Sequence, residues 1–190
     1  RRAARLSKMQ YELFDSHCHV DDRRFDEDLG EVLTRMTEHG VTRYAVIGSD
    51  MASSRHAIDF AQAHEGAYAV VGIHPHEAKT YREGDLDTLT AWLKEDKVQA
   101  IGEIGLDYHY EDIPRQLQQK AFLMQLELAR KLNLPVIVHE RDAHEDGMAV
   151  VRDFPEVNGV FHCYSGSAEM ARQLVERGWY IGFTGVLTFK

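Results

Sequence analysis

No apolar run in this 190-residue chain approaches the ~20 residues that a helix needs to cross a bilayer. The basic stretch Arg1 to Gln10 leads into no apolar segment, which excludes a secretory signal. Met9 reads as a natural start, residues 1–8 as a leader, and residues 9–190 as one domain. Cysteine is scarce. Cys18 and Cys163 cannot make a disulfide framework, and both are expected to be buried thiols in a reducing compartment, which points to the cytoplasm. An excess of positive charge is also missing. A net charge of −9 argues against a broad duplex-binding groove, which is usually basic. It leaves room for a small site that takes a phosphate through bound cations, because divalent ions dominate the local field. There is no Gly-rich phosphate loop after the first strand-like stretch, no nucleophile-elbow pattern and no evident Ser/His/Asp or Cys/His system. Internal repeats, low-complexity segments and linkers are absent too.

What is present is a regular alternation of strand-like and helix-like stretches, in a chain with 44% hydrophobic and 28% charged residues, as in ordinary globular proteins. Strands are expected at 12–20, 41–47, 67–74, 98–104, 134–139, 159–163 and 179–185. Helices are expected at 28–38, 53–64, 85–95, 114–132, 144–153 and 168–177. Apolar residues recur at helical spacing, as in Leu29, Val32, Leu33 and Met36, or in Leu117, Ala121, Met124 and Leu128. Ser53 or Ser54 is a candidate N-cap for the second helix. Strict β-then-α order implies parallel strands with helices outside. The near-continuous apolar strands fit burial on both faces. The fold class is therefore α/β, a TIM (β/α)8-type barrel. An eighth strand would be needed to close it, so the sequence reads as a barrel truncated after the seventh strand.

Active sites of such barrels lie at the C-terminal ends of the strands. The first strand-like stretch ends in His17 and His19. These are two residues apart, so both imidazoles share one face while Cys18 turns away. The third gives His74, with His76 beyond Pro75. The fourth gives Glu103, followed by Asp107. The fifth gives His139, followed by Arg141, and the sixth gives His162. Imidazole is the commonest protein ligand for zinc and its neighbours. Metal ligands are therefore expected at His17, His19, Glu103, His139 and His162, whereas His74 is expected to contact substrate rather than metal. Arg141 and Asp107 are weighed against salt-bridge or capping roles. His39, His56 and His64 fall in or beside helices and are expected to be solvated. His109 and His144 fit loop or cap positions, and Tyr108 and Tyr164 fit packing better than base stacking. Four histidines and one glutamate suit two divalent ions sharing a carboxylate. Such a pair, ~3.5–4 Å apart, activates water and clamps the oxygens of a displacement.

These stretches together resemble the TatD family of metal-dependent deoxyribonucleases, within the amidohydrolase-like (β/α)8 barrels. The resemblance rests on Asp15-Ser16-His17-Cys18-His19, Gly72-Ile73-His74-Pro75-His76, Gly102-Glu103-Ile104-Gly105-Leu106-Asp107-Tyr108, His139 with Arg141-Asp142-Ala143, and Phe161-His162-Cys163-Tyr164-Ser165-Gly166. It implies that His17 and His19 hold one metal, that Glu103 bridges as the central catalytic carboxylate, and that His139 and His162 hold the second metal. It also implies a catalytic contact of His74 with substrate phosphate. Arg141, beyond the fifth strand, is a further candidate substrate contact. The implied cofactors are two magnesium, manganese or zinc ions. The implied substrate is DNA, at single-stranded 3′ ends, with RNA as a second candidate and no membrane partner. The family's remaining ligand is an aspartate in a Thr-Asp-Ser-Pro-like motif, which does not occur here. Two other readings stand beside this one. One is an amidohydrolase-like enzyme acting on an amide, lactone or ester. The fourth strand offers no lysine for the carbamylated-lysine subgroup. The other is an inactive fragment.

Overall fold

The computed structural model describes residues 11–189, so the leader expected over residues 1–8 lies outside the described residues. Seven parallel strands make one sheet in the order of the chain: β1 (Leu13–Cys18), β2 (Val41–Ile47), β3 (Ala67–Val71), β4 (Val98–Asp107), β5 (Val136–Arg141), β6 (Gly159–His162) and β7 (Tyr180–Ile181). Sequential order is the signature of barrel winding. A doubly wound sheet reverses direction part-way across. Between the strands lie α1 (Leu29–Glu38), α2 (Met51–Ala63), α3 (Asp85–Trp92), α4 (Arg115–Leu132), α5 (His144–Asp153) and α6 (Ala168–Glu176). Among the described residues β1 and β7 each pair with one neighbour, and none of the helices is long and apolar enough to cross a membrane.

Alternation along the strands divides the core in two. Tyr44, Val46, Ala69, Val71, Ile104, Leu106, Val138 and Phe161 face the helices and join one large cluster with Ala57, Ile58, Phe122 and Leu174. Ala45, Ile47, Val70, Ala100 and Ile137, with Val160 against them, form a second cluster on the inner face. The inner row therefore runs from Ile137 to His139 on β5 and from Val160 to His162 on β6. On each of these strands the apolar side chain gives way to histidine at the next inward position.

Helices and strands form where the sequence pattern places them, with three physical corrections. First, α2 begins at Met51 because Asp50 is its cap. The Asp50 carboxylate accepts from Ser53 N at 2.7 Å while Ser53 Oγ accepts from Asp50 N at 2.9 Å. Ser53 is thus the third helical residue of a capping box rather than the cap, and Ser54 is buried against Gly72. Second, the buried face of α4 is Gln118, Ala121, Phe122, Gln125, Leu126, Leu128 and Ala129, whereas Leu117 is exposed. Two glutamines occupy core positions because backbone groups at the mouth of the barrel need partners there. Third, β3 stops at Val71 and β7 spans only Tyr180–Ile181, while β4 runs on to Asp107. Cys18 and Cys163 are free thiols as expected, but half-buried rather than buried.

Candidate metal centre

Each of the expected donors leaves the inner face of a strand, or the turn just past it. His17 is the penultimate residue of β1, and His19 is the first residue beyond it. His74 follows β3 and caps a short 3-10 turn, Pro75–Glu77. Glu103 lies within β4, and its neighbours Ile104 and Leu106 face the helices. Glu103, Gly105 and Asp107 therefore share the inner face. Gly105 sits at φ +142°, and a Cβ there would come within 1.9 Å of His139 O. The glycine thus lets β5 approach closely and leaves a gap between the two acidic side chains, which the His139 ring fills. His139 and His162 are register partners on β5 and β6.

The side chains converge. His17 Nε2 is 3.2 Å from His19 Nε2 and 3.6 Å from Glu103 Oε2. The His17 and His162 rings stack with centroids 3.4 Å apart. His139 Nδ1 is 3.1 Å from Glu103 Oε1, and its Nε2 is 2.8 Å from Asp107 Oδ2. Two groups of mutually close donor atoms result, His17, Glu103 and His162, and His74, Glu103 and His139. Glu103 belongs to both, as a bridging carboxylate would. The grouping differs from the family resemblance in three respects. His19 belongs to neither group, and His74 joins that of Glu103 and His139. The His162 ring lies against His17, although its strand pairs with that of His139.

The electrostatics favour cation binding on the β1 side. Burial pushes His17 down to about 3, and neighbouring imidazoles push the same way against the pull of Glu103. Burial likewise lowers His162 and takes His74 to about 4. These rings are neutral at ordinary pH and present lone pairs. Burial alone would raise Glu103, but its bond to His139 and the charges around it hold the carboxyl down at about 2. His139 moves the other way. Burial opposes its charge, and the carboxylates of Glu103 and Asp107 overcome that opposition to raise it. Neutral imidazoles around a buried carboxylate, with His17 and His19 bringing Nε2 close together, suit a divalent transition ion such as zinc. A carboxylate shared by two groups suits a pair of ions.

The remaining candidates divide by environment. His74 Nδ1 accepts from His76 N at 3.1 Å, which leaves the ring proton on Nε2 and makes the ring a donor rather than a ligand through that nitrogen. Arg141 is exposed at the rim, 5.4 Å from the Tyr110 ring, and Glu103 is paired to His17 and His139 instead. Tyr108 is held by Asp146 at 2.6 Å and covered by Arg115, and Tyr164 is buried with its hydroxyl on Ser167 O, so both are packing residues. Tyr110 is the exposed aromatic at the mouth, with its ring 5.4 Å from His76. His39 and His56 are exposed, and His64 is half-buried on Phe60. His144 bonds to Glu140, and His109 to Asp142. A cleft of about 610 Å³ adjoins the centre, lined by His19, Asp21, Arg23, Ser49, Ser53 and His56.

Sequence reasoning missed Gln118 and Gln125. Gln118 bonds both backbone groups of Asp107, N to Oε1 at 2.8 Å and O from Nε2 at 2.8 Å. Gln125 does the same for Ile73, beside His74, at 2.7 and 3.0 Å. Their spacing of seven residues on one helix face was the available signal.

A family model described as TatD related DNase matches residues 14–190. The chain belongs to the TatD family. It is 40% identical over 184 residues to the uncharacterized metal-dependent hydrolase YabD of Bacillus subtilis (strain 168), covering 94% of this chain and 71% of that protein. It is 35% identical over 175 residues to the 3′-5′ ssDNA/RNA exonuclease TatD of Cronobacter sakazakii (strain ATCC BAA-894), covering 91% and 66% respectively. Among solved structures, the TatD homologue YJJV from Escherichia coli K12 superposes with a TM-score of 0.86 at 32% identity, over 93% of this chain and 70% of that one. The chain thus spans about two thirds of the length of such TatD relatives. Membership makes it a metal-dependent hydrolase of the (β/α)8-barrel type.

Proposed function

We propose that this TatD-family hydrolase cleaves phosphodiester bonds at the 3′ ends of single-stranded nucleic acid, DNA first and RNA second. The observation that carries the reading is the single buried carboxylate of Glu103 shared by two imidazole groups. Relatives described as ssDNA/RNA exonucleases support the substrate class. His17, His19 and Glu103 would hold one magnesium, manganese or zinc ion. His139, its strand partner His162 and Glu103 would hold the second, although the His162 ring groups with His17 in the structure. Bound divalent ions supply Lewis acidity and bring the pKa of water from ~15.7 towards ~7.

The protein's own part is orientation and charge. Glu103, ionised down to about 2, supplies fixed negative charge between the imidazole groups. His74, with its proton on Nε2, donates to a non-bridging phosphate oxygen and stabilises charge developing there. Arg141, on the rim, steadies the next phosphate. The cleft beside His19 carries Asp21 and Asp22 in its lining, which makes it too acidic for a basic duplex groove. The test is release of nucleotides from end-labelled single strands with each metal in turn. Mononucleotides should leave a free 3′ end, and chelation should stop the reaction. No release with magnesium, manganese or zinc would remove the assignment.

A further inference from the structure

Asp107 is a carboxylate that neither donor group uses. It is 1% exposed, and every polar group it carries is engaged. Oδ1 accepts from His109 N at 3.0 Å, and Oδ2 receives His139 Nε2 at 2.8 Å. Gln118 fixes its backbone from both sides. His76 Nε2 comes within 2.9 Å of the same Oδ2 but out of line for a hydrogen bond, so His139 is the ring that Asp107 holds.

We propose that Asp107 is a positioning residue that accepts the Nε2 proton of His139 and thereby turns the Nδ1 lone pair of that ring towards Glu103. This rests on the reading of His139 as a metal ligand. An imidazole that gives a lone pair through one nitrogen carries its proton on the other, and the partner of that proton sets the ring's orientation. His139 lies between two carboxylates four residues apart on one strand. Only Glu103, 3.1 Å from Nδ1, is shared with His17 and His74. The Asp107 side is therefore the outer side and the Glu103 side the ligand side. The arrangement depends on Gly105, since any side chain there would occupy the space the His139 backbone needs. His17 lacks such a support. Its outer nitrogen, Nδ1, is buried without a hydrogen-bond partner among the described residues.

The experiment is long-range proton–nitrogen correlation on the whole chain labelled with ¹⁵N-histidine, titrated with zinc. Zinc should shift His139 Nδ1 while Nε2 keeps its proton. In Asp107→Asn that proton should exchange rapidly with solvent, and zinc affinity should fall roughly 10–100-fold. The amide spectrum away from β4 and β5 should stay unchanged, which a merely structural defect would not allow. Coordination through Nε2 in the unsubstituted protein would overturn the proposal even if Asp107→Asn failed to fold. So would an Asp107→Asn protein with unaltered zinc affinity. Zinc that moved neither nitrogen of His139 would instead refute the ligand reading, and the proposal with it.

Discussion

On the β1 side of the centre, His17 and His19 face each other through Nε2 and His17 is held neutral down to about 3. On the β4–β5 side, His139 sits between Glu103 and Asp107 and its affinity for a proton is raised. The two sides share one carboxylate and one fold yet treat His17 and His139 oppositely. Burial without an outer partner makes a ready ligand with weak orientational support. Burial between two carboxylates makes a well-aimed ligand that must first lose a proton. The asymmetry predicts two ions of unequal pH sensitivity held at one bridge.

The largest effect should come from removing what the two sides share. Glu103→Gln keeps the side chain's shape and removes its charge. Activity should fall by more than about a hundredfold, beyond the usual cost of losing a supporting partner. Steady-state assay of the variant with metal supplied checks this, and near-normal turnover would dissolve the comparison.

Next come substitutions that separate the sides. His17→Ala and His139→Ala should each remove one equivalent of bound metal by elemental analysis after dialysis. Loss of both equivalents from either change would show a single cooperative site.

Acidification should sharpen the contrast further. A ring with a raised pKa binds its proton first as pH falls, so the ion at His139 meets competition from pH values above the ordinary ~6.5 downward. His17 meets it only near 3. Equilibrium dialysis between pH 8 and 5 should therefore release the β4–β5 ion first and retain the β1 ion. Simultaneous release would contradict the difference in protonation.

The smallest effect belongs to Arg141, which is exposed at the rim. Arg141→Ala should raise KM for a single-stranded substrate several-fold with little change in kcat. Thermal stability should move by less than about 0.5 kcal/mol, as for most exposed substitutions.

Much of this centre is legible in the sequence because two periodicities coincide at it. A period of two along β1, β4, β5 and β6 puts apolar side chains on one face. The replacement of Val or Ile by His or Glu near the strand ends then marks the mouth, as Ile137 to His139 and Val160 to His162 show. The helical period located α1, α3 and α4 for the same reason. What escaped depends on contacts distant in sequence. The core positions of Gln118 and Gln125 make sense only once the backbone of Asp107 and Ile73 is seen lying against α4. The start of α2 was missed because three residues within one turn, Asp50, Ser53 and Ser54, can all cap, and only the reciprocal bonds distinguish them. The reach of β4 to Asp107 shows only once β5 is seen packed against Gly105. The division of imidazoles between the two sides was likewise invisible, because it depends on ring orientation and not on strand order.

The most direct measurement is electron paramagnetic resonance of the manganese-loaded chain. Two manganese ions bridged by Glu103 should give a spin-coupled spectrum at two equivalents, and the coupling should vanish in Glu103→Gln. An uncoupled, mononuclear spectrum that Glu103→Gln leaves unchanged would contradict the account.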